Sequence, residues 1–87
     1  MKITLNMKTL STPMQVHEYL QRALSFPDYY GKNLDALHDV LTDWDQPVTL
    51  AFVLPPETGE MSAFLPRFRR VLADAAAENP RLRVQVR

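Results

Sequence analysis

The residues with most chemistry to offer lie between Asp28 and Asp45. There Asp28, Asp35, Asp39, Asp43 and Asp45 stand against a single base, Lys32, a local charge of −4. Carboxylates at this density can serve as a general acid and base, hold a cation, or present negative charge to a basic partner, and their spacing decides between these uses. Asp35, Asp39 and Asp43 recur every four residues. On a helix, at about 100° per residue, they share a sector about 80° wide. An acid/base pair needs burial to drive two proton affinities apart, and a glycoside-cleaving pair needs a sugar cleft between its carboxyls. A ladder on one exposed helix face supplies neither. It reads as a solvated acidic face or as a docking surface whose potential attracts and orients a basic protein. It also has a cost, since like charges four apart destabilise a helix by a few tenths of a kcal/mol per pair, roughly, and Asp43 falls toward the negative end of the helix dipole.

The other reactive side chains make no second centre. His38 sits beside the ladder and reads as a boundary residue or an interface contact; His17 reads as an ordinary surface residue of the preceding helix. Ser11, Ser25 and Ser62 have no glycine elbow, and nothing in the sequence places a histidine and an acid beside any of them as a triad. With no cysteine and only two histidines, neither a disulfide, a thiolate nucleophile nor a histidine metal cluster can be assembled. No cofactor is expected. Tyr29, Tyr30 and Trp44 flank the acids, and aromatic residues beside charge suit the centre of a protein interface. From Pro66 onward six arginines face only Asp74 and Glu78, yet the one aromatic residue among them, Phe68, falls on the inward stripe of its helix, so no exposed aromatics interleave with them as a nucleic-acid platform requires. Arg70 and Asp74, four apart on one helix, are placed to pair.

Ten basic and ten acidic residues cancel over the 87 residues, so neither direct nucleic-acid binding nor adsorption to a membrane is expected. The first eight residues lack the apolar run of a signal peptide, and no stretch is apolar enough to span a bilayer. The chain is expected to act in the cytoplasm, as a monomer when free. At 46% hydrophobic it has the composition of one folded domain spanning residues 1–87.

The elements that must carry the acids follow from hydrophobic spacing. Ile3, Leu5 and Met7 alternate as a strand over 2–7. Ser11-Thr12-Pro13 starts a helix to about Leu24, with Val16, Leu20, Ala23 and Leu24 inward. Phe26 to Lys32 interrupts it; Pro27 keeps Phe26 extended, and Gly31 is expected to supply a turn that side chains resist. Asn33 caps a second helix to about Trp44, with Leu34, Leu37, Leu41 and Trp44 inward. The apolar run Val48–Leu54 reads as a strand covered on both faces. Pro55–Glu60 reads as a loop or one helical turn. A last helix runs from Ser62 or Ala63 to Glu78, with Phe64, Phe68, Val71, Leu72 and Ala75 inward. Leu82, Val84 and Val86 alternate with arginine and glutamine in a final edge strand over 81–87. The order βααβ(α)αβ predicts an α/β domain, a small three-stranded parallel sheet packed against three to four helices.

The run Phe26-Pro27-Asp28-Tyr29-Tyr30-Gly31-Lys32-Asn33-Leu34-Asp35-Ala36-Leu37-His38-Asp39-Val40-Leu41-Thr42 resembles the signature of the barstar family, inhibitors of barnase-type ribonucleases. The strand and helix pattern on either side is similar over nearly all 87 residues. The resemblance implies a barstar-like parallel sheet and a protein that plugs a basic ribonuclease's active site. By that resemblance Tyr29 would stack on the enzyme's catalytic base, Asp39 would occupy the substrate phosphate position, and Asp35 would meet the basic residues of the guanine-side loop. Gly31, Asn33 and Leu34 would add loop contacts, with Tyr30, His38, Thr42, Asp43 and Asp74 completing the binding face. Departures from the family pattern are His38 for a frequent Trp, Asp43 for a Gly near the helix end, and Asp74 for a Glu. Pro47 aligns with a cis proline of the family, so a cis Gln46–Pro47 bond is expected. The alternative reading is a non-inhibitory module of the same fold that turns this acidic face to another basic protein.

Overall fold

A computed structural model describes residues 1–87, and its elements run in the order β1 (Lys2–Asn6), α1 (Pro13–Ala23), α2 (Leu34–Thr42), β2 (Val48–Val53), α3 (Met61–Glu78) and β3 (Leu82–Val86). The three strands form one parallel sheet in the order β1-β2-β3. In that order, right-handed crossovers carry every helix to the same side of the sheet. Register places Ile3, Leu50 and Val84 in one row and Leu5, Phe52 and Val86 in the next. These rows, with Val48 and Leu82, face the buried residues of all three helices: Val16 and Leu20 of α1, Leu37 and Leu41 of α2, Leu65, Phe68 and Leu72 of α3.

The opposite face of the sheet is open. It carries Lys2, Thr4 and Asn6 on β1, Thr49, Ala51 and Val53 on β2, and Arg83 and Gln85 on β3. The expectation that β2 is covered on both faces is therefore corrected. Thr49 and Val53 are only half-buried, and Ala51 is enclosed because it is short and flanked in register by Thr4 and Gln85. A central strand reads as an unbroken apolar run even with helices on one side only.

Local chemistry explains the helix boundaries. Thr12 caps α1 by accepting from the Gln15 backbone N–H at 3.2 Å, while Gln15 Oε1 accepts from the Ser11 and Thr12 N–H groups, a reciprocal capping box ahead of Pro13. Asn33 caps α2 as expected, accepting from Ala36 N at 2.7 Å. The second helix stops at Thr42 rather than Trp44; Asp43 is its C-cap, and Trp44 lies past the end with its N–H donating to Leu41 O at 3.3 Å. α3 begins at Met61, one residue early, and buries Met61, Leu65, Phe68, Leu72 and Ala75, leaving Phe64 and Val71 half-buried. Residues 55–60 form a loop, so the helices number three.

Two further expectations are corrected. No peptide bond is cis, so Gln46–Pro47 is trans. The trans form is the lower in energy by about 0.5–1 kcal/mol, and with it Val48 N–H still reaches Arg81 O at 2.9 Å to start the β2–β3 ladder. His17 is a core residue with 3% of its surface exposed. It lies three and seven residues before Leu20 and Leu24, on the buried stripe, and its ring packs against Tyr30 and edge-on to Phe64.

Candidate functional site

The segment between α1 and α2 is a fixed scaffold that holds one exposed aromatic ring. Phe26 and Tyr30 are buried, with ring centroids 4.9 Å apart. Between them the chain makes a tight turn in which Tyr30 N–H donates to Pro27 O at 3.0 Å. Gln21 Nε2 donates to the same carbonyl at 2.9 Å, fastening the turn to α1. Tyr29 occupies a central position of that turn and is 88% exposed. Tyr30, by contrast, points inward: its hydroxyl and His17 Nδ1 share a hydrogen bond of 2.7 Å. Burial pushes the Tyr30 hydroxyl pKa up and the His17 imidazole pKa down, so both groups are neutral and satisfied. Tyr30 is thus a support for Tyr29 and not a surface contact in the free protein.

Gly31 earns its place by close approach. A Cβ there would lie 3.2 Å from Ala36 Cβ and 3.3 Å from Asn33 Nδ2. The left-handed backbone belongs instead to Lys32, at φ 51°, and to Ser25, at φ 54°, where the first helix ends. The expectation that Gly31 supplies the unusual turn is corrected accordingly. Asn33 is fully engaged, capping α2 and donating to Gly31 O at 3.2 Å. Thr42 likewise spends its hydroxyl on the His38 and Asp39 carbonyls, at 3.0 and 3.1 Å. Leu34 is half-buried against the core. These residues hold the site in shape.

The acids are a different matter. Asp35, Asp39 and Asp43 are all exposed on α2 and its C-cap, with Asp28 and Asp45 exposed on the flanking loops. None of the five has a lysine or arginine within 4.0 Å; Lys32 pairs with Glu18, and Arg69 with Glu57. Asp74 is also exposed and unpaired, so the expected Arg70–Asp74 bridge does not form. The enclosure that would split the proton affinities of Asp35 and Asp39 is absent: the Asp39 side chain is 80% exposed.

His38 joins two helices. Its Nε2–H donates to Glu78 near the end of α3, and its Nδ1 lies 3.7 Å from Asp39 Oδ1. The hydrogen bond to Glu78, and the charge of that carboxylate, hold the imidazole pKa above its ordinary value, with a smaller push from Asp39. Glu78 is a site residue that sequence reasoning missed, because forty residues separate it from His38 and only the α2–α3 packing brings them together. Asp74 lies one turn earlier on the same α3 face. Asn79 was missed as well. Buried at the C-cap of α3, it donates through Nδ2 to Leu41 O and to Trp44 O, both at 2.9 Å, and accepts from Arg81 N–H at 3.0 Å. It ties the end of α2 and the Trp44 loop to the start of β3.

Past the end of α2 a groove of about 610 Å³ runs between the Tyr29 turn and Trp44, with Asp39, Asp43 and Asp45 around it. No group of histidine and carboxylate side chains is arranged to hold a metal ion, and no helix is long and apolar enough to cross a membrane.

Comparison with known proteins bears on this geometry. A family model described as Barstar (barnase inhibitor) matches residues 1–87. The chain is also 61% identical over 36 residues to the Bacillus subtilis (strain 168) protein named "Putative ribonuclease inhibitor YrdF". That match spans 40% of this chain and 40% of the relative.

Proposed function

We propose that this chain, which belongs to the barstar family, is a stoichiometric inhibitor of a barnase-type ribonuclease that acts in the cytoplasm as an immunity protein. It is not an enzyme in this reading. The observation that carries it is the uncompensated anionic face: Asp35, Asp39 and Asp43 lie exposed along α2 and its C-cap, unpaired by any lysine or arginine. A ribonuclease active site holds cationic groups already arranged for phosphate. A carboxylate fixed on a helix meets them with little reorganisation, and Tyr29, held out on its turn, adds a rigid aromatic contact at low entropic cost. Asp39 takes the phosphate position, Asp35 the neighbouring basic loop, and Asp74 and Glu78 border the face from α3. Charge complementarity of this kind speeds association and makes it sensitive to salt.

The test is titration calorimetry against barnase with RNA cleavage followed in parallel. One-to-one binding with loss of cleavage is expected. Asp39→Ala should keep the fold, since its side chain makes no contact with the core, and should weaken binding by about thirtyfold or more, some 2 kcal/mol. Equal affinity of Asp39→Ala and wild type would refute phosphate mimicry by this residue. Absence of inhibition, with another basic protein held through the same face, would make the chain a non-inhibitory interaction module.

A further inference from the structure

The groove beyond α2 combines two properties that rarely coincide. Leu24, Phe26 and Val40 give it an apolar floor, and Trp44 and Tyr29 add aromatic surface. Asp39, Asp43 and Asp45 line it with carboxylates that no lysine or arginine of the protein approaches within 4.0 Å; the nearest basic group is His38 Nδ1, 3.7 Å from Asp39 Oδ1. An apolar groove edged by unpaired negative charge is complementary to a side chain with an aliphatic stem and a flat cationic head. Lysine has the stem, but its ammonium is a compact point charge. Arginine's planar guanidinium stacks on aromatic faces and offers its donors to carboxylates in pairs.

We propose that this groove is a binding site for an arginine side chain of the basic partner, adjoining the Asp39 phosphate-mimicking contact and recognised through Trp44, Asp43 and Asp45. The proposal rests on the reading that the partner is a basic protein. Trp44 forms one wall and is fixed there by Asn79, which holds the Trp44 carbonyl. Asp43, at the C-cap of α2, stands where a carboxylate is disfavoured by the helix dipole, so helix electrostatics do not account for the charge there.

The experiment needs no ribonuclease. Trp44 is the only tryptophan, so its indole N–H gives one resonance in an amide-correlation NMR spectrum of the full chain. Titration with N-acetyl-argininamide should shift that resonance and the Asp43 and Asp45 amides saturably. N-acetyl-citrullinamide, of the same shape but neutral, should shift them several-fold less. The Asp43→Asn/Asp45→Asn double variant should bind the arginine probe about fivefold more weakly, as two partly exposed ion pairs predict. An unmoved indole, an equal response to citrullinamide, or an undiminished response of the double variant would overturn the proposal. The function proposed above fails separately, by lack of inhibition in a protein whose groove still takes the arginine probe. If instead barnase is inhibited and Trp44→Ala binds it as tightly as wild type, the groove proposal falls and the inhibitor reading stands.

Discussion

Asn79 holds the acidic face together from behind, and its replacement tests that role most sharply. Its side chain makes three hydrogen bonds in a buried position: to Leu41 O, to Trp44 O and from Arg81 N–H. Asn79→Ala removes all three. At about 1 kcal/mol net for each, with some relief because Leu41 O also accepts from Trp44 N–H, the loss should be about 2–4 kcal/mol. A domain of this size has roughly 4–13 kcal/mol in all, so the variant loses a large share of its stability and melts early. With an unfolding entropy of about 0.2 kcal/mol/K for 87 residues, the midpoint should fall by about 10–20 °C. Asn79→Asp is the stronger perturbation despite its matching shape. It keeps the acceptor for Arg81 N–H but turns a carboxylate oxygen toward two carbonyls, so near neutral pH it should cost more than the alanine. Its deficit should narrow as the pH falls and the introduced carboxyl takes up a proton that it can donate. Urea unfolding followed by far-ultraviolet circular dichroism and by Trp44 emission measures both variants. An alanine variant within about 0.5 kcal/mol of wild type, or an aspartate variant more stable than the alanine at neutral pH, would refute the reasoning.

Further outcomes follow from the contacts of Tyr30 with His17, of His38 with Glu78 and Asp39, and of Gly31 with its neighbours. Tyr30→Phe leaves His17 Nδ1 buried without its partner and should cost about 1–3 kcal/mol, measured by urea unfolding. Because His17 has its pKa lowered on folding, the unfolded chain binds the proton more readily; the stability linked to His17 is full above pH 6.5 and is lost as the pH falls below it. His38 has the opposite sign. Its pKa is raised by Glu78, so its clamp on α3 is fully present below pH 6.5 and fades as the pH rises through the raised value, a component that His38→Gln should abolish in the pH profile of stability. The same protonation sets a cation beside Asp39, so affinity for a basic partner should be weaker at the acidic end, and His38→Gln should flatten that dependence in calorimetry. Gly31→Ala should cost about 1 kcal/mol, because the new Cβ would press on Ala36 and Asn33 and force the Tyr29 turn to shift by a few tenths of an ångström; a neutral result in thermal unfolding would remove close approach as the reason for glycine there.

Wherever one element's spacing decided the answer, the sequence could be read directly. The strand alternation, the Thr12 and Asn33 caps, the order of elements and the exposed aspartate ladder all rest on periods of two or 3.6 and on short-range cap chemistry. What escaped the reading depends on packing between elements distant in sequence. Glu78 and Asn79 act on residues of α2 forty and thirty-eight positions away, respectively, and no local pattern announces that. The trans Gln46–Pro47 bond has no local signal in the sequence, since an X–Pro pair reads the same in either isomer. His17 is legible by position, since its spacing to Leu20 and Leu24 marks it as inward, while the polarity of a histidine points the other way. For Gly31, steric room and backbone freedom both call for glycine, and only the structure separates them.

The distribution of polar contacts follows a division of labour between neighbouring residues. Side chains that could have bonded outward are bonded inward: Tyr30 to His17, Asn33 to its helix end, Thr42 to the turn behind it. Their donors and acceptors set the geometry and are spent in doing so. The carboxylates of Asp35, Asp39 and Asp43 receive the reverse treatment. A single lysine at a neighbouring surface position would relieve their mutual repulsion, and α2 contains none. The one cation-capable group beside them, His38, gives its Nε2–H to Glu78 and stays 3.7 Å from Asp39. Stabilising α2 by pairing its own acids would neutralise the charge that a basic partner requires. The repulsion is instead offset from behind, by the Asn33 cap, the Asn79 tie and the buried Leu37 and Leu41, none of which touches the anionic surface. A helix kept stable through its inner face, with no lysine or arginine paired to its acids, is what a preorganised anionic ligand needs, because association then breaks no internal ion pair beyond the one that protonated His38 makes with Asp39.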